Sequence, residues 1–236
     1  MVARGLSSFY GILMIRKLRN LLLCLLSLSA LGCARAETLE DWTSQQDRTI
    51  GLPVLIDLIT GHEVYDWGED LAPVFTQVAE SVLDEVSRNP IKAGRINEVG
   101  NAVELYVLDA LEKAGLQSGR PTPPSGRKKT VGYPDLYAQK NDDYFYIEIK
   151  TYSPKTEKSS LRTFYISPSQ DFKVTRDAYH LLLAFSTDEV DPGVYSLTGF
   201  KLLDLYGLEC NLKLEFNASN KDLYSEESGL VVEEKE

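Results

Sequence analysis

The stretch "GYPDLYAQKNDDYFYIEIKTY", Gly132 to Tyr152, sets Asp135 ahead of a turn and Glu148 and Lys150 two residues apart beyond it. A turn centred between Asn141 and Asp142 makes Lys140 face Asp143 and, further out, Asp135 face Glu148. Directly opposed residues of an antiparallel pair share a face, with Cβ atoms about 4.5 to 5.5 Å apart. The two-residue period of a strand then gathers Tyr146, Glu148, Lys150 and Tyr152 on that face and turns Phe145, Ile147 and Ile149 toward a core. Two carboxylates this close destabilise a sheet unless something compensates them. Lys150 compensates in part, and a divalent cation does so more fully. Carboxylate and carbonyl oxygens suit magnesium or manganese, and Mg²⁺ takes one or two carboxylates, several waters and a substrate phosphate. The other reading is an exposed hairpin whose chance acid pair is neutralised by a lysine. The hairpin alone leaves both open.

The elements around it are legible from their periodicity. Residues 37–93 read as mostly helical, with Val74, Val78, Val82 and Val86 forming a stripe that Pro90 ends. A second helix is expected from Ile96 to Ala114, closed by Gly115, with Val99, Val103, Tyr106, Val107, Ala110, Leu111 and Ala114 on one buried face. Glu104 falls on the margin of that stripe and Glu98 points largely away, so Glu104 is the glutamate better placed to reach a site. A solvated boundary residue is its plainer role. "GRPTPPSGRKKTVG" reads as a loop, and the hairpin arms are Leu136 to Gln139 and Tyr144 to Thr151. Beyond Tyr152 a loop, a short strand "TFYI", a helical turn region from Ser169 to Tyr179 and a buried strand "HLLLAF" are expected. Further strands fall near Val194 to Tyr206 and Leu212 to Phe216, and residues 226–236 form an acidic tail.

With 236 residues and 43% hydrophobic content, the chain has material for one sizeable core after an N-terminal targeting segment. "MIRKLRN" from Met14 is basic and "LLLCLLSLSAL" after it is apolar, the pattern of a signal peptide. The apolar run is shorter than the roughly 20 residues of a membrane-spanning helix. "LSALGC" resembles a bacterial lipobox, with Cys33 as the residue to be lipidated, while "ARA" at Ala34 to Ala36 offers an ordinary cleavage site. The leader thus covers residues 1–36 with cleavage before 33 or 37, the lipoprotein reading leading; the alternative is the buried N-terminal helix of a cytoplasmic protein. Residues 37–93 are read as the helical first part of the domain and 94–225 as its core. The folded part keeps only Cys210, which excludes an internal disulfide and a zinc-type cysteine cluster. The net charge of -10 becomes more negative once the leader removes Arg4, Arg16, Lys17 and Arg19 and no acids. Such a field opposes non-specific nucleic-acid binding, which a local basic surface would have to overcome.

"PD" at Pro134 and Asp135 followed by "EIK" at Glu148 to Lys150 resembles the signature of the PD-(D/E)XK nuclease superfamily. The order of a glutamate-bearing helix, a loop and two motif strands is similar to that superfamily's, over roughly Gly94 to Phe185. The resemblance implies an α/β, restriction-endonuclease-like fold, a mixed β-sheet flanked by helices. It implies Mg²⁺ or Mn²⁺ held by Asp135 and Glu148 with the Ile149 carbonyl, Lys150 acting on the attacking water and on developing phosphate charge, and Glu104 as an accessory acid for a second metal. DNA is the implied substrate, with Arg127, Lys128, Lys129 and Lys173 among the bases expected to contact phosphates. Tyr133, Tyr146 and Tyr152 are candidates for base stacking or, more plainly, for sheet packing. The only histidines, His62 and His180, lie in no triad context, which sets aside a serine hydrolase built on Ser167 or Ser169. The leading expectation is therefore an exported Mg-dependent DNA endonuclease of the cell envelope or periplasm, in contact with membrane only through a lipid at Cys33 and with a homodimer as one option. The alternatives are a noncatalytic envelope lipoprotein on a nuclease-like scaffold and a cytoplasmic type II restriction-like endonuclease.

Overall fold

The structure, a computed structural model, describes residues 48–67, 71–127, 132–155, 157–158, 164, 166, 171–213, 218–225, 227, 229–230 and 232–233. The leader with Cys33, the loop bases Lys128 and Lys129, the serines Ser167 and Ser169 and most of the expected strands at 163–166 and 212–216 lie outside these residues. Arg48–Leu212 form one compact unit. The other unit takes the two ends of the chain and contains one short described helix, Asn220–Tyr224, whose N-terminus is closed by a reciprocal capping box between Ser219 and Asp222.

Within the larger unit the elements run β1 (Thr49–Gly51), α1 (Leu52–Thr60), β2 (Val64–Tyr65), α2 (Ala72–Arg88), β3 (Ile91–Lys92), α3 (Ile96–Lys113), β4 (Gln117–Gly119), β5 (Leu136–Lys140), β6 (Asp143–Tyr152), β7 (Ala178–Asp191), β8 (Val194–Asp204) and β9 (Glu209–Asn211). Seven strands make one mixed sheet in the order β3-β8-β7-β6-β5-β4, with β2 beside the start of β7. The β6–β7 and β2–β7 pairs are parallel and the other pairs of this sheet antiparallel. This is the α/β class expected, a mixed sheet flanked by helices as in restriction-endonuclease-like folds.

The hairpin forms because Asn141 accepts a left-handed backbone, φ 55°, a conformation that asparagine tolerates better than most residues. Lys140 pairs with Asp143 and Leu136 with Ile147. On the next rung out, the Asp135 amide donates to the Ile147 carbonyl at 3.1 Å, so Asp135 stands opposite Glu148. At the far edge β4 approaches β5 so closely that a Cβ on Gly119 would lie 2.9 Å from the Tyr137 ring. Glycine is what lets this edge pair close.

Side-chain alternation splits the interior in two. Phe145, Ile147 and Ile149 of β6 and Leu181, Leu183 and Phe185 of β7 pack with Phe75, Val78, Val82 and Val86 of α2 and Val99, Val103, Val107 and Leu111 of α3. Fully burying each such side chain contributes about 1.5–3 kcal/mol. The stripes read from the sequence are these helix faces, and α3 stops where Gly115 turns left-handed at φ 80°. On the opposite face Tyr146, Leu182 and Ala184 pack with Leu52 and Ile56 of α1, Tyr133, Phe172 and Val174.

One expectation needs correction and another is extended. Residues 171–177 form an irregular strap rather than helical turns. Phe172 and Val174 enter the second cluster, Lys173 between them is buried as well, and Asp171, Lys173 and the Thr175 amide bond to other segments of the chain. The first part of the domain, read as mostly helical, also supplies β1, β2 and β3. These are two or three residues long, too short to leave a periodic signal.

Candidate active site

The site lies where β5 begins and β6 nears its end. Across the parallel pair Glu148 lies beside Leu182 and Lys150 beside Ala184, so the neighbouring strand offers these charges only apolar surface. The Glu148 side chain is 7% exposed, and one of its oxygens, Oε1, accepts from Lys150 Nζ. The other, Oε2, is buried without a hydrogen-bond partner. Burial first, and the nearby Asp135 carboxylate second, push the Glu148 carboxyl up to about 7, against the opposing pull of Lys150 and Lys173. A buried carboxylate with an orphaned oxygen is short of positive charge.

Asp135 is held from two sides. Its amide is in the sheet ladder through Ile147, and its Oδ2 accepts from the Ile149 amide at 2.9 Å. The N–H and C=O of one strand residue project to the same edge, so the Ile149 carbonyl faces the Asp135 side as well. Two carboxylates and one carbonyl, all oxygen donors, fit a hard divalent cation that keeps water in its remaining positions. The orphaned Oε2 of Glu148 is the atom such an ion would satisfy. Among the described residues no three His, Cys, Asp or Glu side chains group closely enough to hold a metal; Mg²⁺ does not require three.

The third acid stands apart from the pair. Glu104 of α3, 17% exposed, binds Arg120 at 2.8 Å. Burial first and Asp135 second push its carboxyl up, while Arg120, Lys173 and Lys150 pull it down. It therefore shares the field of the site without joining Asp135 and Glu148 in one group. Glu98 has another use: half-exposed at the helix start, it accepts from the Gly94 amide at 2.9 Å and faces Arg95 at 3.8 Å.

The bases expected on the substrate surface separate. Arg127 is exposed, and Lys128 and Lys129 lie outside the described residues. Lys173 is not a surface base: it is 4% exposed, and its ammonium group donates to the carbonyls of Gly132 at 2.6 Å and Pro134 at 2.9 Å. Burial lowers its pKa, and Asp135, Glu148 and Glu104 oppose that shift. Its position between buried Phe172 and Val174 was the signal available in the sequence, a lysine inside a short apolar run. Tyr133 and Tyr146 are also buried, which removes them as stacking surfaces. Both rings pack against His180. The Tyr133 hydroxyl lies 2.6 Å from His180 Nδ1, and burial holds that imidazole neutral, at about 3. His180 is a core residue.

The mixed sheet flanked by helices is a restriction-endonuclease-like fold, and it brings a buried glutamate, a half-buried aspartate and a lysine together at one end of β5 and β6. The chain belongs to the type II restriction enzyme MjaV family, whose model matches residues 45–227. It is 42% identical over 151 residues to the type II restriction enzyme MjaV of Methanocaldococcus jannaschii, a match covering 60% of this chain and 64% of that protein. The chain thus spans just under two thirds of that relative's length.

Proposed function

We propose that this protein is a type II restriction-like endonuclease that hydrolyses DNA phosphodiester bonds with a divalent cation, on a PD-(D/E)XK site formed by Asp135, Glu148 and Lys150. The observation that carries the reading is the buried Glu148 carboxylate, with one oxygen taken by Lys150 and the other orphaned, opposite an Asp135 gripped by the Ile149 amide. Family membership supports DNA as the substrate. Asp135, Glu148 and the Ile149 carbonyl would hold Mg²⁺ or Mn²⁺. When bound, that ion polarises a phosphoryl oxygen and lowers the pKa of water.

The remaining work belongs to the chain. Lys150, its side chain 30% exposed, can donate to the attacking water or to a phosphoryl oxygen as negative charge develops there. Glu104 serves as an accessory acid at the site's margin, acting through water, while Arg120 restrains it. Arg127, Lys128 and Lys129, consecutive on the loop before the motif, make phosphate contacts that position the duplex without reading its sequence.

The restriction-type reading is better supported than the exported one. It leads us to propose a cytoplasmic enzyme, because restriction acts on DNA that has entered the cell. Among the described residues no helix is long and apolar enough to cross a membrane. Neither a lipid at Cys33 nor a homodimer gains support from the fold or the family. The test is cleavage of duplex DNA, single strands and RNA by the purified full chain with Mg²⁺, with Mn²⁺ and with chelator. Discrete duplex fragments that require the ion are expected; no ion-dependent cleavage, or equal cleavage by Glu148→Ala, would reject the reading.

A further inference from the structure

We infer that Lys173 is a positioning residue: from the strap at 171–177 its ammonium group ties down the turn that presents Asp135, and so sets how tightly the site holds its cation. The inference rests on the metal reading above and adds a residue to it. The side chain of Tyr133 anchors the middle of the turn at 132–134 on His180, but the backbone on either side of it has little means of holding itself. Pro134 has no amide proton, and Gly132 sits at φ 93°. Lys173 supplies what is missing, with two of its three donors on the carbonyls at either side of Tyr133. Asp135 is the next residue, and the sheet grips it from the other side through Ile147 and Ile149.

The strap is itself fixed two residues to each side of the lysine. Asp171 accepts from the Ser125 amide at 3.1 Å and hydroxyl at 2.7 Å. The Thr175 amide donates to the Tyr146 hydroxyl at 2.8 Å. An apolar side chain would serve packing at this buried position at lower desolvation cost than a cation. The charge is retained where it meets two carbonyls of the motif turn. Groups that orient a metal ligand without touching the metal alter metal affinity by about 10- to 100-fold when removed.

Two effects of Lys173 on a cation oppose each other, which makes the sign of the result decisive. As a clamp it strengthens metal binding by aiming Asp135; as a bare positive charge it weakens binding by repulsion. The experiment is titration of the full chain with Mn²⁺ alone, free ion being read by electron paramagnetic resonance, for wild type, Lys173→Met, Lys173→Gln and Asp135→Ala. Wild-type binding that is lost in Asp135→Ala is expected, with about tenfold weaker binding in Lys173→Met and an intermediate value in Lys173→Gln, which keeps an amide donor. Unchanged or tighter binding in a folded Lys173→Met would overturn the clamp while leaving the metal site standing. Binding that ignores Asp135→Ala would instead sink the metal reading itself. Should Lys173→Met not fold, Lys173→Gln takes its place with the same sign expected. Failure of both to fold would assign Lys173 to general stability and overturn the positioning role.

Discussion

The two faces of the central sheet solve different problems with the same strands. On the side of α2 and α3, β6 and β7 present Phe145, Ile147, Ile149, Leu181, Leu183 and Phe185, and the cluster there is hydrophobic throughout. One residue along in each strand, the other side buries Glu148 and His180, with Lys173 brought against it by the strap. The first face stabilises the domain by removing apolar surface from water. The second carries ionisable groups whose burial is costly, and it holds them with directed hydrogen bonds. The apolar core and the groups of the proposed chemistry are thus assigned to opposite faces by the side-chain alternation of a single strand.

That separation can be broken at its strongest point first. Asp135→Ala or Lys150→Ala is expected to lower ion-dependent duplex cleavage by about 10³-fold, with the thermal midpoint nearly unchanged by circular dichroism in Asp135→Ala and lowered in Lys150→Ala, which leaves the buried Glu148 without its counter-charge. A large loss of stability in Asp135→Ala would show that the second face also carries the fold. Leu183→Ala, on the apolar face, should cost about 3 kcal/mol in urea unfolding and leave the Mn²⁺ affinity of the folded protein as it was.

The next effect depends on pH. Glu148 is raised from 4.5 to about 7 in the folded chain, so the native state holds more protons than the unfolded state between those values. Stability without metal should therefore be greatest below about pH 4.5 on this group's account and fall as pH rises through 7, by on the order of 3 kcal/mol. Mn²⁺ affinity should run the opposite way, increasing up to about pH 7 as the competing proton leaves. Glu148→Gln should flatten the stability profile, and a profile unaltered by that substitution would dissociate it from Glu148. The smallest effect sharpens the division within α3: Glu104→Gln should slow cleavage by several-fold and Glu98→Gln by less than about twofold. The reverse ranking would move the functional edge of the helix to its first turn.

Much of this was open to reading in the sequence because it depends on local period. The α2 and α3 stripes, the turn at Asn141 and the pairing that sets Asp135 opposite Glu148 all follow from spacings of two, three and four residues. What escaped depends on partners far away in the chain. Lys173 reads as a surface base by its type; the apolar Phe172 and Val174 beside it hint at burial, but nothing local reveals that the carbonyls of Gly132 and Pro134 await it. Glu104 was recognised as marginal to its helix face, but its partner Arg120 lies beyond β4 and leaves no local trace. The strap was read as helical turns because Asp, Lys, Thr and Arg suit many conformations. Its irregular course is set by the core beneath Phe172 and Val174 and by bonds to distant segments.

The strap also bears on when, during synthesis, the motif turn gains its support. Its bonds reach back 29 residues from Thr175 to Tyr146, 46 from Asp171 to Ser125 and 115 from Asp177 to His62. A nascent chain that has emerged only as far as Tyr152 carries Asp135, Glu148 and Lys150 but neither β7 nor the lysine that secures the motif turn. Pieces that the proposed site leans on therefore leave the ribosome after the motif itself, and an interrupted translation product would display the motif without its support.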